Sequence, residues 1–369
     1  MSNGTDEKSA LIAMSGGVDS SIAAYLMKRD GYRCMGATMR LYRNNDIGLD
    51  QSHTCCSQND IDDAARVAAQ LGIPYEVLNY REGFREQVID KFIRTYEEGG
   101  TPNPCIDCNR YLKFEKMFFY AWENGLNYIV TGHYARIEQD EASGRYLLKK
   151  AADGTKDQSY VLYSLTQRQL QHIKFPLGGM TKVQTRGLAD EIGLITAHKH
   201  DSQDICFVPD GDYVRFMEDY TGRKYEPGDF LDTSGNVIGR HRGAVAYTIG
   251  QRKGLGLAMG HPVYVCGKDM SANTVTVGEE EDLFSSSLIA DTVNWISVDA
   301  LERPMRIEAK TRYRQKQQPG TVYPLGDGRI RIEFDSPQRA VTAGQAVVMY
   351  DGDTVVGGGT ICEGDQQIG

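Results

Sequence analysis

The sequence predicts an α/β fold, a doubly wound parallel sheet, followed by a small β-rich central domain and a C-terminal β-barrel. Three observations carry this. From residue 11 to about 135, strand-like runs alternate with segments of helical apolar spacing, the order that builds parallel strands joined by covering helices. The first apolar run, Leu11-Ile12-Ala13, passes through a glycine turn straight into a helix start. After about Pro209 the chain turns to short β runs separated by Gly and Pro, as in closed or nearly closed barrels.

The elements follow in order. Cys34–Met39 reads as a second strand, and 60–71 as a helix with Ile61, Ala64, Ala65, Ala68 and Leu71 on one face, ended by Gly72. Tyr75–Leu78 is a third strand, helical stretches follow at about 84–98 and 110–124, and 128–133 is a fourth strand with Gly132 near its end. In such sheets ligands bind at the C-terminal strand edge. The turns holding Gly16, Met39 and Gly132 are therefore expected together on that edge. A helix is expected over 182–193. Beyond it, Ala244–Ile249, Val263–Val265, Thr274–Val277, Ile330–Phe334 and Ala346–Tyr350 read as strands.

Composition narrows the function. The 369 residues are 40% hydrophobic and 25% charged, so the chain reads as globular. No run approaches 18 apolar residues, and the polar N-terminal stretch to Lys8 has no apolar signal core, so no membrane association and a cytoplasmic location are expected. A net charge of −9 disfavours indiscriminate nucleic-acid binding but not a local basic face. One candidate runs through Arg303, Arg306, Lys310, Arg312, Arg314 and Lys316. On a strand, the last four would share one face as a phosphate-binding stripe. Gly254-Leu255-Gly256 after Arg252-Lys253 suggests a mobile basic loop.

Ala13-Met14-Ser15-Gly16-Gly17-Val18-Asp19-Ser20 carries the clearest chemistry. Its glycines let backbone come close to a ligand, its serines add hydroxyls, and the N–H groups of a helix start favour an anion. A merely structural strand-to-helix turn is the competing reading. No Gly-x-x-x-x-Gly-Lys and no Gly-x-Gly-x-x-Gly is present, which disfavours the P-loop and dinucleotide classes.

Eight cysteines without a signal peptide argue against a disulfide scaffold. Cys34, Cys266 and Cys362 read as small buried hydrophobes. Cys105 and Cys108 form a C-x-x-C behind Pro102-Asn103-Pro104, and Cys206 sits among polar residues. Two chemistries stay open for these three: persulfide transfer between thiols, or an iron–sulfur cluster. The adjacent pair Cys55-Cys56 takes no assignment.

Several motifs occur together. They are Ser15–Ser21, Pro102-Asn103-Pro104 with Cys108-Asn109, Leu112-Lys113-Phe114, Thr131-Gly132-His133-Tyr134 and Lys156–Tyr160. Asp204–Phe207, Gly250–Gly256 and Thr311–Arg314 complete the set. In this order they resemble the bacterial and mitochondrial tRNA-specific 2-thiouridylases, a branch of the N-type ATP pyrophosphatase superfamily, from about residue 10 to 360. The resemblance implies ATP-dependent 2-thiolation of the wobble uridine (U34) in tRNA for Lys, Glu and Gln, with Mg²⁺, and with persulfide sulfur from a cysteine desulfurase or a relay protein. It implies a catalytic domain at 1–208, a central tRNA-binding domain at 209–272 and a barrel at 273–369. Residues 13–20, Met39 and Gly132 match ATP contacts. Cys108 matches the nucleophile and Cys206 the persulfide carrier, joined by a transient Cys108–Cys206 disulfide. Asn103, Pro104, Cys105, His133, Lys156, Asp157, Gln158, Arg312, Tyr313 and Gln345 match tRNA contacts. Many members carry Asp where this chain has Cys105, which leaves Asp107 or a water as the acid–base group. Two alternatives differ in what they need. Another adenylating enzyme acting on a small molecule would need neither a basic barrel nor paired thiols. A non-catalytic RNA-binding protein would not need an intact phosphate loop.

Overall fold

A computed structural model describes residues 8–42, 58–199 and 205–366. It divides into two compact units: Met1–Val88 with Cys105–Asp212 and Asp353–Val355, and Ile89–Pro104 with Tyr213–Gly352 and Val356–Gly369.

In the first unit the chain runs through β1 (Ser9–Ala13), α1 (Val18–Arg29), β2 (Arg33–Arg40), α2 (Gln58–Leu71), β3 (Tyr75–Asn79) and α3 (Arg81–Phe84). A π-helical turn, Arg85–Ile89, leads into α4 (Asp90–Glu97), which belongs to the second unit. The first unit resumes within α5 (Pro104–Asp107), which continues as a π-helical stretch, Cys108–Lys116, and α6 (Met117–Glu123). Then come β4 (Tyr128–Val130), the hairpin β5 (Ala135–Gln139) and β6 (Tyr146–Lys150), α7 (Gln167–Gln171), β7 (Ile173–Lys174) and α8 (Lys182–Glu191). The sheet order is β3-β2-β1-β4-β7, all parallel. The strands are short and apolar because helices cover both faces. Ala10 and Ile12 pack with Ile22, Ala64, Val67 and Ala189 from α1, α2 and α8, while Leu11 alternates to the other face. The expected parallel sheet and its shared ligand edge are both present. The helices expected at 84–98 and 110–124 start earlier, at Arg81 and Pro104. Proline suits a first helical turn, where its missing N–H costs nothing, so Cys105 and Cys108 lie on a helix rather than before one.

The second unit contains α4, α9 (Tyr213–Thr221) and a four-stranded sheet of β8 (Gly228–Leu231), β9 (Val237–His241), β10 (Tyr264–Asp269) and β11 (Thr274–Gly278), in the order β10-β11-β8-β9. Tyr96 of α4 stacks on Tyr213 of α9 at 4.2 Å between ring centroids. Then follow β12 (Phe284–Trp295), β13 (Met305–Lys310), β14 (Gln318–Pro324), β15 (Ile330–Arg339), β16 (Ala346–Asp351) and β17 (Thr354–Gln366). Their order, β12-β15-β14-β13-β16-β17, closes through a β12–β17 pairing into a six-stranded barrel. Leu288, Ala309, Val322, Ile332 and Met349 fill its interior. The fold class read from the sequence is thus observed: parallel sheet, β-rich middle and closed barrel. Among the described residues no helix is long and apolar enough to cross a membrane.

Three local expectations fail. Ala244–Ile249 is not a strand. It makes a 3₁₀ turn at Ala244–Ala246, with Ala246 N donating to Gly243 O at 3.0 Å, and it is apolar because that turn lies in a core. The basic stripe is broken, since β13 ends at Lys310 and 311–317 forms a turn. Gln315 Oε1 accepts from both Thr311 N and Thr311 Oγ1 at 2.8 Å, which bends the backbone out of the sheet. Leu255 is buried in the core of the second unit, so the basic loop is anchored at its middle. Arg312 faces inward from the turn. Its guanidinium donates to Ala340 O at 2.9 Å, Ile249 O at 3.2 Å and Thr342 Oγ1 at 3.3 Å, tying three segments together. Arg312→Ala is expected to cost about 2–3 kcal/mol by leaving those acceptors unpaired, whereas Arg314→Ala, at an exposed position, should stay within about 0.5 kcal/mol. Urea unfolding of the two variants checks this, and equal effects would contradict it.

Candidate active site at the C-terminal edge of the sheet

The loop between β1 and α1 is shaped by close backbone approach. Gly16 has φ +72°, and a Cβ there would run into the Asp60 carbonyl. A Cβ on Gly132, just past β4, would sit 2.7 Å from Ser20 N and from Asp19 C. The serines tie the loop to itself: Ser15 N donates to Ser20 Oγ at 3.1 Å, and Ser20 Oγ and Ser21 Oγ donate to Gly17 O at 3.1 and 2.9 Å. Gly17 is the N-cap of α1, and no side chain caps the helix. A capped turn would engage those first N–H groups; here they stay available to an anion. Met39 is buried on the same edge, and Thr38 Oγ1 donates to Met14 O at 2.6 Å.

Asp19 is the most connected side chain of the loop. Lys182 Nζ lies 2.7 and 2.8 Å from its two carboxylate oxygens, and Tyr134 OH is 2.9 Å from Oδ1. Tyr134 is placed in turn by Gln158, whose side chain accepts from Tyr134 N at 2.9 Å and whose N–H donates to Tyr134 O at 2.9 Å. Lys182 and Tyr134 are site residues that the sequence reading missed. A signal existed for Lys182: it is the first residue of α8, where the helix dipole disfavours a cation.

The cysteines separate by environment. Burial pushes the thiols of Cys34 and Cys266 up to about 11, so both are inert core groups as expected. Cys105 is exposed, while Cys108 and Cys206 are half-buried and in no disulfide among the described residues. Cys108 opens the π-helical stretch, a geometry common at functional sites. Asn109 beside it donates from Nδ2 to Val161 O at 3.2 Å. Both cysteine-bearing segments rest on α3. Phe207 meets Phe84 edge-to-face at 5.7 Å, and a Cβ on Gly83 would stand 3.3 Å from Leu112 Cδ2. Tyr42 OH also donates to Cys206 O at 2.9 Å. Among the described residues no three His, Cys, Asp or Glu side chains converge as metal ligands would. Cys55, Cys56 and Asp204 lie outside the described residues.

The structure places the other predicted site residues as follows. The His133 ring is buried between Phe114 and Phe175, with Nδ1 2.7 Å from Thr131 Oγ1. Asp157 accepts from Ala151 N at 3.1 Å and from Ser159 Oγ at 2.9 Å, holding the turn that carries Lys156. In the second unit, Gln345 Nε2 donates to Thr101 O at 2.9 Å and Pro102 O at 3.3 Å, which fixes the chain entering Asn103-Pro104. Tyr313 is 39% exposed, with Lys310 Nζ 5.9 Å above its ring, an open aromatic face beside a cation.

A phosphate-type loop at the ligand edge of a parallel sheet makes this an α/β enzyme built to handle an anionic group. The comparisons specify which. Residues 8–210 match the family model described as tRNA methyl transferase HUP domain, 214–279 the matching PRC-barrel domain, and 285–361 the aminomethyltransferase β-barrel domain. The chain is 51% identical to the tRNA-specific 2-thiouridylase of Clostridioides difficile over 96% of its own length and 98% of the relative's. It is 51% identical to that of Acetivibrio thermocellus over 96% and 99%. The chain belongs to the tRNA-specific 2-thiouridylase family, and it is a sulfurtransferase. The methyl-transfer wording of the domain description is not shared by these relatives. Among solved structures, a 4-thiouridine synthetase–RNA complex with ATP covers 58% of this chain and 50% of its own, at 19% identity and a TM-score of 0.31, too slight a likeness to bear on function.

Two outcomes follow from this geometry. Gly16→Ala is expected to destabilise the protein by about 2 kcal/mol or more, because the methyl group meets the Asp60 carbonyl at positive φ; an unchanged melting temperature would contradict it. Burial, reinforced by the charge of Lys113, holds His133 well below the usual histidine range. The folded state therefore keeps it neutral while the unfolded chain protonates near pH 6.5. Its contribution is full above about pH 6.5 and falls as pH drops below that. His133→Asn should flatten the acid-side stability slope by up to about 1.4 kcal/mol per pH unit in denaturant titrations; an unaltered slope would count against a buried neutral ring.

Proposed function

We propose that the protein catalyses ATP-dependent 2-thiolation of the wobble uridine (U34) of tRNA for Lys, Glu and Gln, yielding 2-thiouridine, AMP and pyrophosphate. The observation that carries this reading is the pair of half-buried thiols, Cys108 and Cys206, on segments that share α3 as a seat. It stands beside a phosphate-type loop whose helix N–H groups are uncapped. The activity by which the family is named supports the same assignment.

The C2 oxygen of uridine is a poor leaving group. In the proposed reaction it attacks the α-phosphorus of ATP, pyrophosphate departs, and the oxygen becomes part of a good leaving group, AMP. Residues 13–20 would cradle the triphosphate, with Met39 and Gly132 on its flanks. Mg²⁺, when bound, would neutralise phosphate charge; Asp19 is already engaged by Lys182, so phosphate oxygens would be its main ligands. A persulfide on Cys206, loaded by a cysteine desulfurase or a relay protein, supplies the sulfur. Cys108 attacks the Cys206 inner sulfur, the terminal sulfur goes to C2, AMP leaves, and a Cys108–Cys206 disulfide remains. Two electrons from an external thiol reductant restore both thiols. Where many family members carry Asp at the Cys105 position, Asp107, buried one residue before Cys108, or a water would serve as the acid–base group. An anticodon base is single-stranded, so it can be turned out without melting a duplex. Asn103, Pro104, Cys105, Lys156, Arg312, Tyr313 and Gln345 are proposed to form or position the tRNA surface. His133, Asp157 and Gln158 have side chains engaged inside the protein, so their part is to position neighbours.

Two experiments test this. Asp19→Ala should lower tRNA-dependent AMP and pyrophosphate formation at least about a hundredfold while the tRNA Kd stays within about twofold; an equal loss of tRNA affinity would contradict the loop assignment. Cys105→Ser, purified without oxygen, should retain most thiolation activity, whereas Cys108→Ser and Cys206→Ser should lose it. A parent holding about four irons per chain, with an inactive iron-free Cys105→Ser variant, would overturn the persulfide route.

A further inference from the structure

The first unit holds a second concave site apart from the phosphate loop. It is a cleft of about 700 Å³ beside edge strand β7, reached from the C-terminal end of α1 and the β5–β6 hairpin. The phosphate loop lies at the other end of α1, which at 12 residues is about 18 Å long. Ile137 and Phe175 contribute apolar surface to the cleft, Lys174, Tyr32, Tyr128 and Tyr146 contribute polar groups, and at its rim Arg29 and Asp30 pair with each other at 3.2 Å.

Among the described residues, the side chains of Lys174, Tyr32 and Tyr128 meet rings rather than hydrogen-bonding partners. Lys174 Nζ lies 4.7 Å above the Tyr128 ring, and among the described residues no carboxylate pairs with it. Tyr128 meets Tyr32 edge-to-face at 5.9 Å, and Lys8 Nζ stands 5.7 Å over the Tyr32 ring. The hydroxyls of Tyr32, Tyr128 and Tyr146 have no protein hydrogen-bond partner among the described residues. Burial and then the charge of Lys8 hold the Lys174 ammonium below its ordinary range. A bound anion would relieve both effects, and a multiply charged one would do so most. The volume suits a mononucleotide, and the tyrosines, each half-buried, offer ring edges and, among the described residues, one unoccupied ring, Tyr146, against which a base can pack.

We propose that this cleft is a second anion site, which takes a phosphate ester carrying a planar base, with the phosphate beside Lys174 and the base against the tyrosines. Its ligand is either a free mononucleotide or a nucleotide of bound RNA; both present the same chemistry. The site goes beyond the thiolation reading and does not depend on it.

The test is trace acetylation of lysines in the full-length protein, with the phosphate loop saturated by a non-hydrolysable ATP analogue and Lys174 read by peptide mass spectrometry. Uridine monophosphate at millimolar concentration should slow Lys174 acetylation at least fivefold, and Lys174→Met should weaken uridine monophosphate binding at least tenfold in calorimetry, with Lys174→Arg restoring it. That result identifies a free nucleotide as ligand. Protection by tRNA without protection by the mononucleotide identifies an RNA nucleotide, provided that Lys174→Met lowers the slope of log K against log salt for tRNA by about one. The proposal is overturned if inorganic phosphate, uridine monophosphate and tRNA all leave Lys174 labelling within twofold, or if tRNA protects it while the salt slope of Lys174→Met is unchanged.

Discussion

Two backbone contacts without room for a Cβ set the geometry of the candidate active site. Gly16 lies against the Asp60 carbonyl at the start of α2, and Gly132 lies against the backbone of Asp19 and Ser20 at the start of α1. Together they bring the ends of β1 and β4 and the N-termini of two helices to one edge of the sheet. Packing that close is what leaves the first N–H groups of α1 facing an open edge instead of a side-chain cap. The Asp19–Lys182 pair then fixes the loop from the other side. It is largely shielded, with Lys182 Nζ bridging both carboxylate oxygens, and Tyr134 links it to the segment that carries Gln158. A change in the 156–158 turn is therefore felt at the phosphate loop through two hydrogen-bonded side chains.

The thiol half of the site is organised differently, by packing. Cys108 and Cys206 are far apart in sequence, yet their neighbours Leu112 and Phe207 rest on consecutive residues, Gly83 and Phe84. A short helix that carries no reactive group thus sets where both sulfur-bearing segments begin. The π-helical geometry starting at Cys108 shifts its register relative to a regular helix, so where the thiol points is a property of the whole 104–123 helix and not of the C-x-x-C spacing alone.

The sheet was legible because its information is local. Leu11-Ile12-Ala13 followed by two glycines and Val18-Asp19 has one economical reading, and the alternation after it forces parallel strands. The partners of Asp19 were harder to read, because Lys182 and Tyr134 reach it across 163 and 115 residues, and the one local signal is the cation at the first position of α8. The misread segments share one cause. Alternating Lys310, Arg312, Arg314 and Lys316 satisfies a strand pattern, but Gln315 captures the Thr311 N–H and hydroxyl and turns the chain. Ala244–Ile249 is apolar for burial in a turn, which period counting cannot distinguish from a buried strand. The placement of 89–104 in the second unit rests on contacts such as Tyr96 on Tyr213, again invisible to local pattern.

The central claim is that sulfur passes from a Cys206 persulfide to an activated uridine while Cys108 and Cys206 become joined. The most direct measurement is a single turnover with persulfide-loaded enzyme, ATP and unmodified tRNA, without oxygen or reductant, counting 2-thiouridine and Cys108–Cys206 disulfide by mass spectrometry. The account predicts one disulfide for each 2-thiouridine, with both absent when ATP is omitted. Formation of 2-thiouridine with both cysteines still reduced would contradict it.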